Sequence, residues 1–246
     1  MRMANANNHS YSTCTRPLAT TYGTSIMTTL TSPPLCDLLT QLFEDAETSS
    51  AVLAHMSTNT PPEERTRLMT SKTEYREIYA RMKDFHLAVS RATGRLLYML
   101  ARSAQARSIV EFGTSFGIST LHLAAALRDN GGGRVISTEF ESSKIARAQA
   151  NIDAAGLSDL VEIRAGDALQ TLAGGLPETI DLVLLDGAKS LYPQVLELLE
   201  PRLRHGAMIV ADNADWSPEY LSKVRTAGNG YLSVPFGEDV EVSLKL

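Results

Sequence analysis

From residue 107 onward the apolar positions fall into short runs separated by stretches of helical period. Residues 107–112, 134–139, 161–165, 180–186 and 207–211 are too short to be helices and suit buried strands, while helical spacing runs from the first of them through Leu127, over 142–155 and over 191–203. Such alternation predicts a parallel sheet with helices on both faces. Two last strands, 231–234 and 240–244, are separated by Pro235-Phe236-Gly237-Glu238-Asp239, which predicts an antiparallel hairpin and brings the sheet to seven strands.

Upstream the period is helical from Pro34 to about Ser103. Leu35, Leu38, Leu39 and Leu42 share one helical face, and Leu96, Leu97 and Leu100 share another. Between them, residues 63–83 are densely charged, with Met69, Tyr75, Ile78, Tyr79 and Met82 interspersed. The plainer reading of that run is a solvated helix face; the alternative is a lid that walls a substrate site. The expected organisation is a disordered tail over 1–33, a helical segment over 34–103 packing on the core, and a cofactor-binding core over 104–246. The tail is rich in Ser, Thr and Asn and has Arg2 and Arg16 but no acid, a weak transit-peptide pattern; a disordered tail, or an upstream start with Met27 as the working initiator, is the favoured reading.

Composition narrows the function classes. With 23 basic against 28 acidic residues the net charge is −5, so the chain lacks the basic field of a nucleic-acid binder, and a small molecule is the expected partner. No apolar run is long enough to span a bilayer, which argues against a membrane partner. The two cysteines, Cys14 and Cys36, both precede the strand and helix alternation and argue against a cysteine-based zinc site. The expected compartment is the cytoplasm.

Ligands of such a sheet bind beyond the carboxyl ends of its strands. The first run, Ile109-Val110-Glu111-Phe112, ends in Gly113-Thr114-Ser115-Phe116-Gly117-Ile118-Ser119-Thr120, where glycines let the backbone approach a ligand and a helix begins with unpaired N–H groups. Later strands end at Glu139, Gly166-Asp167, Asp186 and Asp212-Asn213. One acid at a strand end is an ordinary helix cap, but five on one rim imply a site. Glu139 stands where a nucleotide-binding sheet places a carboxylate for ribose hydroxyls, and Asp167 is placed to receive an adenine amino group. The loop reads E-x-G-x-x-x-G, without the third glycine of the dinucleotide fingerprint and without a P-loop lysine, which favours S-adenosylmethionine over NAD or ATP. A rival is explicit in the letters: residues 113–117 also spell G-x-S-x-G, the nucleophile elbow of hydrolases, with Asp186 and His205 following in hydrolase order. Its context fails, because His205 precedes the fifth strand and belongs at the opposite edge of the sheet from Ser115.

Asp186-Gly187-Ala188-Lys189, Tyr192, Asp212-Asn213 and Trp216, with Gly94-Arg95-Leu96-Leu97 ahead of the first strand, give the chain from about Asp84 to Leu246 a family resemblance. It resembles the cation-dependent small-molecule O-methyltransferases, the group containing the catechol and caffeoyl-CoA enzymes. The resemblance implies an α/β, Rossmann-like class I methyltransferase fold and a homodimer. It implies Asp186, Asp212 and Asn213 as ligands of Mg²⁺ or another divalent cation, and Lys189 as catalytic base. It further assigns Glu111 and Gly113, with Ser115 nearby, to the methionine part of S-adenosylmethionine, Ser119 to its carboxylate, the Val89 backbone to its amino-acid end, Glu139 to the ribose and Asp167 to the adenine, and counts Gly117 and Asp186 among the cofactor-binding residues. Two carboxylates and an amide oxygen form a hard donor set of the kind that suits Mg²⁺. Lys189, shifted downward by the cation and by burial, would then accept a hydroxyl proton. Gly187, Ala188 and Ile118 depart from the bulkier residues of relatives and leave the acceptor's shape open. Two other classes stay open: a metal-independent N-methyl or aminopropyl transferase on the same fold, and a protein that binds the cofactor without turning it over.

Overall fold

In the computed structural model, which describes residues 27–58 and 61–246, all seven expected strands form one sheet. These are β1 (Ser108–Phe112), β2 (Arg134–Glu139), β3 (Val161–Ala165), β4 (Ile180–Leu185), β5 (Leu203–Ala211), β6 (Tyr231–Phe236) and β7 (Val240–Lys245), in the order β3-β2-β1-β4-β5-β7-β6. The first five are parallel, and β7 runs antiparallel to both β5 and β6. Pro235, which sits within β6, is tolerated there because an edge strand can lack one N–H. Strand order reverses at β1, which pairs with β2 on one side and β4 on the other. That reversal opens a crevice beyond the carboxyl ends of these strands.

Successive residues of each central strand enter opposite cores, as a period of two requires. Ile109, Val135, Leu182 and Val210 face one side, where they meet Leu35, Leu39, Leu42 and Phe43 of helix α1 (Leu35–Thr58) and Leu97 of α4 (Arg91–Ser103). Val110, Ile136, Val183 and Ile209 face the other, against Tyr192, Val195 and Leu199 of α8 (Tyr192–Leu199) and Tyr220 of α9 (Pro218–Arg225). Helix α5 (Ile118–Asp129) is buried from Ile118 to Leu127, so its apolar residues show no single face. The charged run is two short helices, α2 (Pro62–Thr70) and α3 (Tyr75–Arg81), and the crossovers after β2 and β3 carry α6 (Ser142–Ala154) and α7 (Ala168–Thr171).

Three boundaries differ clearly from expectation, the first two for a local reason. The helix expected over 191–203 ends at Leu199 and continues as a 3₁₀ turn through Pro201, whose ring cannot donate to a preceding turn. β5 therefore starts at Leu203, which leaves His205 exposed near its amino end. Most of the expected disordered tail lies outside the described residues, but its end is placed: Thr29 donates its N–H and hydroxyl to Asp129 (3.1 and 2.5 Å), and Tyr98 donates to the same carboxylate at 2.6 Å. Among the described residues no helix is long and apolar enough to cross a membrane.

The rim opposite the crevice is pinned by Asp181. Its carboxylate accepts the Arg107 and Ser108 N–H groups at 2.7 and 2.9 Å and the Arg204 guanidinium at 2.6 Å, joining the amino ends of β1, β4 and β5. Replacing it strands two backbone donors, so Asp181→Ala is expected to cost about 2 kcal/mol of unfolding free energy. Urea denaturation followed by circular dichroism measures it; a midpoint equal to wild type would contradict this role.

Candidate active site

The crevice is built around a contact between two backbones. At the end of β1 the chain turns through Gly113 (φ 102°), and a Cβ there would lie 2.7 Å from the carbonyl carbon and oxygen of Asp186 at the end of β4. Only glycine permits that approach. Asp186 N–H donates to Phe112 O at 2.8 Å, and Gly113 and Thr114 N–H both reach Thr138 O, at 3.2 and 3.1 Å. Ser115 adopts a left-handed conformation (φ 48°), which aims its N–H at Glu139 Oε2, 2.9 Å away. Glu139 Oε1 accepts the N–H groups of Phe140 and Glu141, both at 3.0 Å. The acid at the end of β2 is thus held rigid by backbone donors, while burial raises its pKa. Gly117 (φ 87°) then starts α5.

Glu111 is placed differently from expectation. Its side chain is fully buried beneath the loop, enclosed by the hydroxyls of Ser119, Thr120 and Ser137, each 2.5 Å from a carboxylate oxygen. Burial pushes its pKa up to about 7 despite these three donors. Ser119, read as a cofactor contact or a cap, spends its hydroxyl on Glu111. Thr120 and Ser137 went unnoticed in the sequence because only the fold brings them to one point.

Gly113, Ser115, Glu139, Asp167 and Asp186 all line a cleft of about 650 Å³, whose outer wall comes from α3. Asp167 accepts from Leu169 N–H at 3.0 Å, from the Tyr75 hydroxyl at 3.1 Å and from the Arg76 guanidinium. Burial acts to raise its pKa, but these donors outweigh burial and hold it low. Tyr75 and Tyr79 of the charged run thus turn toward the cleft, while Arg76 reaches it with a side chain that stays largely exposed, as most of the run does. Lys144 is a second wall residue that sequence reasoning missed; its buried ammonium lies 3.5 Å from Ser115 Oγ and 5.5 Å from the Phe116 ring centre, and burial lowers its pKa. A smaller pocket of about 200 Å³ adjoins, lined by Leu87, Ala88, Ser115 and Ser119, with Val89 buried beside it. Gly187 has no room for a Cβ, because the Phe112 ring would lie 2.4 Å from it. A ring from β1 thus fills the space beside Gly187.

Next to the cleft, Asp186, Asp212 and Lys189 come together. Lys189 Nζ donates to Asp186 Oδ1 at 2.8 Å with its side chain almost wholly buried. Burial together with the Asp186 charge beside it pushes the Asp212 pKa up to about 7. Burial lowers the Lys189 pKa, yet the neighbouring Asp186, Tyr192 and Asp212 overcome it and hold the ammonium well above its usual range. The Asp186 and Asp212 carboxyls and the Tyr192 hydroxyl are the near neighbours that outweigh burial there. Asn213 stands in a left-handed turn (φ 47°) and donates its amide to Asp239 Oδ2 at 2.7 Å. Among the described residues no group of three or more His, Cys, Asp or Glu side chains suits a metal. Two apposed carboxylates, one of them holding a proton near neutral pH, nevertheless fit a cation, with the Asn213 amide oxygen as third donor. The Gly113 cradle and the anchored Glu139 fit a nucleoside. The hydrolase alternative falls here, since Asp186 is bonded to Lys189 and His205 lies at the other end of the sheet from Ser115.

Residues 110–214 match the family described as a methyltransferase domain. Over 130 residues the chain is 38% identical to a catechol O-methyltransferase of Niastella koreensis and equally to one of Mycobacterium tuberculosis, covering 52% of this chain and 58% and 57% of theirs. A bovine catechol O-methyltransferase is 30% identical over 156 residues, 60% of this chain and 56% of that one. The chain thus spans between half and two thirds of the length of these curated relatives. Among solved structures it resembles the O-methyltransferase TomG of Streptomyces achromogenes with S-adenosylmethionine (TM-score 0.58, 29% identity, 67% and 85% of the two chains). It also resembles a Bacillus cereus O-methyltransferase with S-adenosylhomocysteine (TM-score 0.57, 26% identity, 81% and 100%). The resemblance read from the sequence stands, and the fold is that of the class I methyltransferases.

A raised carboxylate pKa has a sign. Between about pH 4.5 and 7 the folded chain keeps a proton on Glu111 that the unfolded chain has released, so this group's contribution to stability falls as pH rises through that window. His122, pushed down to about 4 by burial, acts in the opposite direction. Comparison with Glu111→Gln isolates the acid: relative to wild type, the variant should gain unfolding free energy between pH 5 and pH 7.5. Parallel pH profiles in urea denaturation would contradict the assignment.

Proposed function

We propose, on this class I methyltransferase fold, that the chain is an S-adenosylmethionine-dependent and divalent-cation-dependent O-methyltransferase acting on a hydroxyl of a small catechol or phenol. One observation carries the reading: the Asp186, Asp212 and Lys189 cluster adjoins the cleft at the residue whose backbone touches Gly113. Chemistry that transfers a methyl to oxygen needs an acceptor hydroxyl, a proton acceptor and the donor within contact distance, and these residues supply positions for all three. The catechol named for several relatives suggests the acceptor class.

In this reading Glu139 accepts the ribose hydroxyls, Asp167 the adenine amino group, and the loop from Gly113 to Gly117, with Ser119 and the Val89 backbone, lies along the methionine part. Glu111 acts from beneath, through Ser119, and positions the loop. Asp186, Asp212 and Asn213 would hold a Mg²⁺-type ion. When bound, that ion lowers the pKa of a coordinated hydroxyl and neutralises the carboxylates that now stabilise the Lys189 ammonium. Lys189 would act as the free amine, its ammonium proton released to water: Nζ takes the hydroxyl proton while the substrate oxygen bonds to the methyl carbon and the carbon–sulfur bond breaks, its electron pair staying on the sulfur of the departing S-adenosylhomocysteine. The same reading includes a cytoplasmic homodimer, for which exposed Leu232 and Val234 on edge strand β6 offer an apolar face.

The Lys189 ammonium on Asp186 also favours a second reading, in which the lysine serves in place of a metal and the transferase is cation-independent. A labelled-methyl assay over a panel of catechols and phenols, with Mg²⁺ and with EDTA, separates the two. Cation-dependent turnover is expected. Asp186→Ala and Asp212→Ala should abolish it, whereas Lys189→Ala should retain donor binding and lose about 10²- to 10⁴-fold in rate. Full activity in EDTA would refute the metal role, and full activity in Lys189→Ala the base.

A further inference from the structure

Helix α3 and the turn before it reach both halves of the proposed site. At one end, Ser190 donates its hydroxyl to Ser71 O at 2.9 Å, Lys72 pairs with Glu219 at 2.8 Å, and Tyr79 donates its hydroxyl to Gly187 O at 3.4 Å. At the other, Tyr75 and Arg76 both bond Asp167, and Arg76 Nε donates to the Tyr75 hydroxyl at 3.2 Å. Tyr75, Arg76 and Tyr79 line the same cleft as Gly113, Glu139 and Asp186.

We propose that Tyr75 and Arg76 are positioning residues that, with Asp167, form the purine-reading end of the cofactor cleft. The inference rests on the reading of this cleft as the adenosine site. An adenine edge presents an amino donor and ring-nitrogen acceptors. A carboxylate can satisfy only the amino group, so a lone Asp167 would leave the ring nitrogens without donors. Arg76 brings a planar fork of five N–H donors to the same wall, of which two are spent on Tyr75 and Asp167 and the rest are left for ring nitrogens, while Tyr75 spends its hydroxyl proton on Asp167 and so orients that carboxylate. Asp167 has about four lone-pair sites, of which Leu169, Tyr75 and Arg76 take three, leaving one for an amino group. The same contacts fix the carboxylate's orientation before a ligand arrives, which lowers the cost of binding.

Calorimetric titration of the full chain with S-adenosylhomocysteine tests this, with 5′-methylthioadenosine as a probe that lacks the amino-acid end. Arg76→Ala is expected to weaken both ligands about tenfold and Tyr75→Phe about threefold, with Arg76→Lys in between. The Arg76 side chain is more than half exposed, so its variants should unfold at the wild-type temperature. Unchanged or tighter binding by Arg76→Ala overturns the proposal, because the segment would then be a bystander or an obstruction. Weakening confined to S-adenosylhomocysteine also overturns it, by moving the contact away from the purine. Glu139→Ala keeps the two readings apart. If it abolishes binding while Arg76→Ala does not alter it, this inference alone fails; if wild type binds neither ligand, the adenosine site itself is wrong.

Discussion

The arrangement of this site depends on the backbone contact between the ends of β1 and β4. Gly113 lies against the carbonyl of Asp186, and the Asp186 N–H is spent on Phe112. Because neither strand end can move from the other, the acid that closes β4 is held beside the loop that closes β1. The proposed metal ligand and the proposed donor cradle are in this sense one rigid object. Sheet strands provide that rigidity more reliably than loops do, since their register is set along the whole ladder. The Phe112 ring against Gly187 seals the same junction from the side.

Two acid clusters flank this junction, and they differ in whether a cation stands among the acids. Glu111 is surrounded by neutral hydroxyls, so burial raises its pKa and its proton is retained toward neutrality. Asp186 instead pairs with the Lys189 ammonium, with Asp212 beside it, and these carboxyls make the lysine a stronger base in the thermodynamic sense but one already protonated. A base of that kind acts only once its carboxylate partners are otherwise neutralised. The absence of any such constraint on Glu111 fits a structural role for it beneath the loop.

Much of the fold was legible because its evidence is periodic. The β3 run over 161–165 matches the observed strand, and each of the other six strands lies within a few residues of its run. The misses came where a single residue overrides periodicity, as Pro201 does by shortening α8. The rim acids were legible too, since residues that close parallel strands must converge at one edge. The hydroxyls around Glu111, the burial of Lys144 and the attachment of Tyr75 and Arg76 to Asp167 were not. Their partners are separated by up to 92 positions along the chain, a distance that no local pattern encodes.

By itself the sequence determined which elements form, which strand ends carry acids and where the backbone needs glycine, because each of these follows from local sterics and the period of the apolar pattern. Only the tertiary structure decided the direction of the Lys189 shift, the burial of Glu111 and the side of the molecule that the charged segment covers. Those outcomes depend on which charges and donors lie within a few ångströms of one another, and that is a property of packing between distant parts of the chain.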